Sequence, residues 1–194
     1  MTAIISVMVL AAVFGGAVWA LYLKENTGVP KTKDTSSMYI IAVLAAGAAA
    51  NIIGALCYYG HETDMSCWLG WSNDLFENGL AAFYTSEGFH DYTPGYMYVL
   101  YIIGALRHLF EPSGTMLQLL VKLPIIAANL VTAYVVYKIA NKKFGAEVSA
   151  VFAALVALNP VYILVGPIWG QVDSILTLFC LLAVYYTAEK KYLL

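Results

Sequence analysis

Along the chain, apolar residues run in long blocks, with the polar residues gathered between them. The blocks are Ala3–Leu23, Met38–Tyr59, 96–110, 116–140, Ala146–Leu158 continuing past Asn159-Pro160, and Asp173–Ala188. A hydrocarbon core about 30 Å thick takes roughly 20 apolar residues as helix. Most of these blocks therefore read as membrane-spanning helices, while 96–110, with 15 residues, is short for a crossing. Between the second and third long blocks, Met65–Phe83 has a different period. Met65, Trp68, Leu69, Leu75, Phe76, Leu80 and Phe83 recur at threes and fours, with Ser66, Asn73, Asp74, Glu77 and Asn78 opposite and Trp71 out of pattern. That spacing predicts an amphipathic helix lying in the membrane interface.

Composition agrees with a membrane protein. Of 194 residues, 61% are hydrophobic and 11% charged, and the mean hydropathy is +0.75. Soluble domains run at about 25% charged, so there is too little charge to cover a soluble surface, and far too much apolar content for a disordered chain. The net charge of −2 gives no reason to expect a nucleic-acid partner. Cys57, Cys67 and Cys180 have neither metal spacing nor a CxxC pair, so no disulfide framework is implied.

Charge placement gives a topology. No Lys or Arg lies between Lys33 and Arg107, yet Glu62, Asp64, Asp74, Glu77, Glu87 and Asp91 all do. By the positive-inside rule, Lys24–Lys33, Lys142-Lys143 and Lys190-Lys191 are cytoplasmic and the acidic segment 60–116 is outside. If 96–110 crossed, the next block would begin and end inside. The segment is therefore expected to lie on the outer surface. The expectation is an all-α bundle of about five spans, N-terminus outside and C-terminus inside. Residues 1–37 form the first span and a cytoplasmic loop, and 38–194 the remainder.

Three acids stand at outer ends of elements. Asp64 opens the amphipathic helix, where it reads as an N-cap or as an ionised carboxylate at the membrane surface. Asp91 precedes the turn signal Pro94-Gly95, and Asp173 opens the last span. Each reads as a local cap or as a functional group, since a carboxylate facing lipid is costly. Tyr92, Tyr96, Tyr98 and Tyr101 suit a headgroup-level belt or a sugar or lipid site. Lys122, about one turn into a span, is expected to snorkel outward or to pair with an acid or a lipid phosphate.

Several clusters resemble one family. Asp64 after a span, then Trp71, Gly79, Phe83-Tyr84 and Asp91-Tyr92-Thr93-Pro94-Gly95-Tyr96 look like the first outer loop of GT-C-type glycosyltransferases. Lys122-Leu123-Pro124, opening a span that closes on Lys142-Lys143-Phe144-Gly145, is similar to a span of the aminoarabinose and protein O-mannosyl transferases. Asn159-Pro160 followed by Trp169-Gly170-Gln171-Val172-Asp173-Ser174 resembles the integral-membrane mannosyltransferases related to the second mannosyltransferase of GPI-anchor synthesis. Thr93 stands where that family usually has Pro. In the family the 96–110 region is a juxtamembrane helix, and the shared module has about seven spans. The chain is therefore expected to be a truncated relative with a partial GT-C module, either a scaffold or an enzyme completed by a second chain.

The resemblance implies transfer of a sugar, mannose-like, from a polyprenyl-phosphate donor to a lipid or glycan acceptor hydroxyl on the outer face. It places Asp64 as general base, with Asp91 and Asp173 supporting the acceptor. Arg107 and Lys122 are candidates for the donor phosphate, and Glu62, His90, Tyr92 and Gln171 for substrate contact. His61 and His90 suit phosphate or a metal, and Glu62-x-Asp64 is compatible with a divalent cation, Mg²⁺ or Mn²⁺; no cofactor is required by the pattern. The alternatives are a non-catalytic membrane scaffold binding lipid-linked sugar or a partner enzyme, and a small transporter. The transporter is disfavoured because no inverted repeat or broken helix pair is visible.

Overall fold

A computed structural model of the chain describes residues 36–190. The expected first span, Ala3–Leu23, and the loop Lys24–Lys33 lie outside the described residues. Within them the chain is helix and turn, with no strand. In chain order the elements are α1 (Ser36–Cys57), α2 (Glu62–Phe83), α3 (Pro94–Phe110), α4 (Gly114–Ala140), α5 (Ala146–Ala157) and the short α6 (Pro160–Ile163). A π-helical turn (Leu164–Trp169) and α7 (Asp173–Ala188) follow.

Among the described residues, three stretches are long and apolar enough to cross a membrane: Ser37–Cys57, Gly114–Ala140 and Ala146–Trp169. Asp173–Ala188 is apolar but shorter. The third stretch shows how the chain passes Asn159-Pro160. The Asn159 side chain accepts the Val161 N–H at 2.9 Å, so Pro160 starts a new helical turn where its missing N–H costs nothing. The path ends at Gly170, whose left-handed backbone (φ 102) stops the helix. The turn into α7 therefore falls at Trp169-Gly170.

The described chain divides into two compact units. One takes residues up to 50, 129–162 and from 177; the other takes 51–128 and 163–176. In the first, Ile40, Ala133, Tyr137, Ala150, Ala153 and Ala157 form the core. Small side chains let helices approach closely: a Cβ on Gly47 of α1 would come within 2.8 Å of the Ala157 Cβ on α5. Lipid tails are as apolar as leucine, so in a membrane such close packing replaces the hydrophobic driving force.

The second unit is aromatic. Met65, Trp68, Trp71, Leu75 and Phe83 of α2 pack with Tyr96, Met97, Leu100 and Ile103 of α3 and with Val121, Ile125 and Val172. Helix α2 matches the expected Met65–Phe83 helix and adds one turn at its start, with a break at Gly79 (φ 81). Three expectations are corrected. Trp71 is buried, and Phe76 is partly exposed, because the α2 face against α3 is wide enough for Trp68 and Trp71 to meet edge to face at 5.4 Å. Helix α3 begins at Pro94, not after a Pro94-Gly95 turn, because proline's fixed φ suits the first helical position and Thr93 is the extended N-cap. Tyr96, expected in a headgroup belt, turns inward. Its hydroxyl is buried with no hydrogen-bond partner among the described residues. At the α2–α3 crossing, a Cβ on Gly104 would run into the Ser72 carbonyl oxygen, so glycine is what allows this approach.

Candidate functional site

The site in the second unit is built where the start of α2 meets the Trp169–Gln171 turn. The His61 N–H donates to the Trp169 carbonyl at 2.7 Å. Gly60 (φ 112) faces that carbonyl so closely that a Cβ would lie 2.6 Å from it. The Trp68 indole N–H donates to the Gly170 carbonyl at 2.9 Å. Two left-handed glycines thus let two backbones meet without side chains intervening, and the next residues along each strand of chain deliver Asp64, Trp169 and Gln171.

Asp64 is the convergence point. It lies in the first turn of α2, and the N-cap is His61, which corrects the expectation that Asp64 caps the helix. Its Oδ2 accepts the Trp169 indole N–H at 2.7 Å and the Gln171 amide at 2.9 Å, and lies 3.2 Å from His61 Nδ1. The His61 ring stacks on Trp169, centroids 5.0 Å apart and nearly parallel. The Asp64 side chain remains 23% exposed, so the carboxylate is held but reachable. His61 and Trp169 also line a groove of about 270 Å³ with Tyr58, Tyr59, Gly60 and Ile168.

Gln171 links this carboxylate to Tyr92: its Oε1 accepts the Tyr92 hydroxyl at 3.4 Å. Tyr92 stands edge-on to Trp68 at 4.9 Å, and its carbonyl accepts the Tyr84 hydroxyl. The Tyr92 phenol is pushed up from its ordinary value, chiefly by burial and then by the negative charges of Asp173, Asp64 and Asp91. Burial, and then Asp64 and Asp91, push up the neighbouring Cys67 thiol. All three acids therefore lie within electrostatic reach of one phenol, and Asp91 and Asp173 are exposed there.

Other sequence candidates stand elsewhere in the unit. Glu62 is exposed at the start of α2. His90 packs edge-on against Phe83 at 4.2 Å. Arg107 Nη1 donates to the Leu69 carbonyl at 3.3 Å. Lys122 differs most from expectation. It neither snorkels nor meets an acid: it is fully buried, and its Nζ donates to the Tyr58 carbonyl at 2.6 Å. Gln118 donates to the carbonyls of Ala55 and Tyr58, so both side chains satisfy carbonyls left open at the end of α1. Lys122 is consequently not the counter-charge of the acid group. Among the described residues, no three His, Cys, Asp or Glu side chains gather as metal ligands.

One contributor was not picked out as a site residue from sequence. Trp169 touches Asp64, although Trp169-Gly170-Gln171 stood in the quoted motif; His61, read from sequence only as suited to phosphate or a metal, touches it too. The available signal was Gly170, which stops a helix directly beside an indole.

No curated protein and no solved structure matches the chain. Residues 93–190, just over half of it, match the family described as dolichyl-phosphate-mannose-protein mannosyltransferase. Arg107, Lys122, Trp169, Gln171 and Asp173 fall inside the matched segment, and Asp64, Asp91 and Tyr92 precede it. A chain that is helical and without strands over its described residues, with three apolar helices of spanning length among them, and with this match is an integral membrane glycosyltransferase of the mannosyltransferase kind, and it belongs to the dolichyl-phosphate-mannose-protein mannosyltransferase family.

Proposed function

We propose that the chain transfers a mannose-like sugar from a polyprenyl-phosphate donor to an acceptor hydroxyl on the outer face of the membrane, with Asp64 as general base. The observation that carries this reading is the convergence of indole, amide and imidazole nitrogen on one Asp64 oxygen in a chain of this family. A carboxylate held by fixed donors and still open to solvent can take a hydroxyl proton as the oxygen attacks the anomeric carbon. Tyr92 and Gln171, joined to Asp64 by hydrogen bonds, and the exposed Asp91 and Asp173 line the approach for a polyhydroxyl acceptor. The motifs Asn159-Pro160 and Trp169–Ser174 favour an enzyme close to the second GPI-anchor mannosyltransferase. The outer-face assignment rests on the lack of Lys and Arg from 34 to 106.

Two experiments test the reading. Transfer from labelled dolichyl-phosphate mannose in membranes carrying the full chain should be abolished by Asp64→Asn, which keeps shape but cannot accept the proton; retained activity removes Asp64 as base. A cysteine introduced at Ser86 should react with an impermeant thiol reagent from the outer side. Reaction only after permeabilisation inverts the topology.

A further inference from the structure

The Asp64 carboxylate is loaded on one side. The Trp169, Gln171 and His61 nitrogens all approach Oδ2, and among the described residues nothing donates to Oδ1. We infer that Trp169 is a positioning residue: its indole N–H, with the Gln171 amide, anchors Oδ2 and leaves Oδ1 to receive the acceptor proton. The inference rests on the reading of Asp64 as base and adds which oxygen acts and what fixes it.

An aspartate carboxyl turns about a broad, nearly two-fold torsion, so an unanchored base would offer either oxygen in many orientations. Donors on one oxygen stop that rotation, and since they stabilise negative charge where they sit, the proton goes to the other oxygen. The anchor is itself held firmly. The Trp169 ring stacks on His61, its carbonyl takes the His61 N–H, and Gly60 and Gly170 have no side chain to displace it. In the step, the acceptor O–H bond breaks, its proton goes to Oδ1, and the oxygen bonds the anomeric carbon. The bond from that carbon to the phosphate oxygen breaks, and polyprenyl phosphate leaves with the electron pair.

The test uses full-length chain in membranes with dolichyl-phosphate mannose as donor. Trp169→Phe keeps the aromatic stack and deletes the N–H. Gln171→Leu removes the second donor to the same oxygen. Each should lower kcat by up to about 100-fold, the scale of a misplaced reacting group, with donor KM within about twofold, since the loss lies in the transition state. Because both act through one oxygen, the double variant should fall by less than the product of the two. Trp169→His, which returns a ring N–H, should recover part of kcat. Unchanged kcat in Trp169→Phe and Gln171→Leu, or a raised KM alone, overturns the inference while Asp64→Asn remains inactive. Full activity in Asp64→Asn overturns the underlying reading as well.

Discussion

The unit of residues 51–128 and 163–176 spends its polar side chains on other parts of itself. Trp68, Gln118, Lys122, Trp169 and Gln171 reach carbonyls or a carboxylate across long sequence separations. The other unit is closed largely by alanine and glycine at helix crossings, with an ion pair, Lys142 to Glu189 at 2.7 Å, on the surface. Lipid-exposed helices need only close apolar packing, whereas a site that must hold a charge in one geometry needs donors whose own positions are fixed. Apolar length makes both units membrane-compatible; the three nitrogens gathered on one carboxylate belong to the unit of 51–128 and 163–176.

The strongest way to break this contrast is to exchange one acid in each unit for its amide. Asp64→Asn should reduce sugar transfer by about 10²–10⁴-fold, the range for a positioned general base. Glu147→Gln, which loses a negative acceptor of the Tyr39 hydroxyl, should stay within about twofold in the same assay. Equal losses would mean that the site is not confined to the aromatic unit.

Glycine substitutions sharpen it next. Gly104→Ala drives a methyl into a backbone oxygen that cannot move without disturbing α2, and should cost about 1–3 kcal/mol or more. Gly47→Ala meets the Ala157 Cβ at 2.8 Å, the Ala157 carbonyl oxygen at 3.3 Å and a leucine end at 3.3 Å, a smaller overlap than at Gly104, so its cost should be smaller. Thermal unfolding of the detergent-solubilised chain ranks them, and the reverse order would contradict the rigidity assigned to the α2–α3 crossing.

Lysines give the smallest contrast. Lys122→Met leaves carbonyls at the end of α1 short of a buried donor and should destabilise by about 1–3 kcal/mol, independent of salt. Lys142 is held by an exposed pair with Glu189 and sits 4.8 Å over the Tyr185 ring, so Lys142→Met should be nearly silent in 1 M salt, where the Debye length falls to about 3 Å. The hydrogen bond to Glu189, then that to Tyr185, raises the Lys142 pKa. A raised folded-state value means stability present below the unfolded lysine value near 10.4 and lost as pH rises through the folded one. The wild type should therefore approach Lys142→Met in melting temperature only above about pH 10.4.

Much of the architecture was legible because hydropathy and helical period are local properties. The blocks at 38–59, 116–140 and 146 onward became helices of spanning length, and the Met65–Phe83 period became α2. Fine placement needed more than period. Trp71 broke the pattern in sequence, yet it is buried, since aromatic width and edge-to-face contact with Trp68 decide that face.

The sequence by itself determined that this is a helical membrane chain, that 96–110 is too short to cross readily, and that acids gather at the ends of elements. Those follow from residue type and spacing. Tertiary structure decided which polar groups meet. Lys122 could serve a phosphate, an acid or a helix end, and only the approach of α4 to the end of α1 selected the carbonyls. Asp64 could cap α2, and only the return of the chain at Gly170, 106 positions later, set Trp169 and Gln171 on its carboxylate. Hydrogen bonds act over about 3 Å, and no pattern along a chain fixes distances that small between residues so far apart.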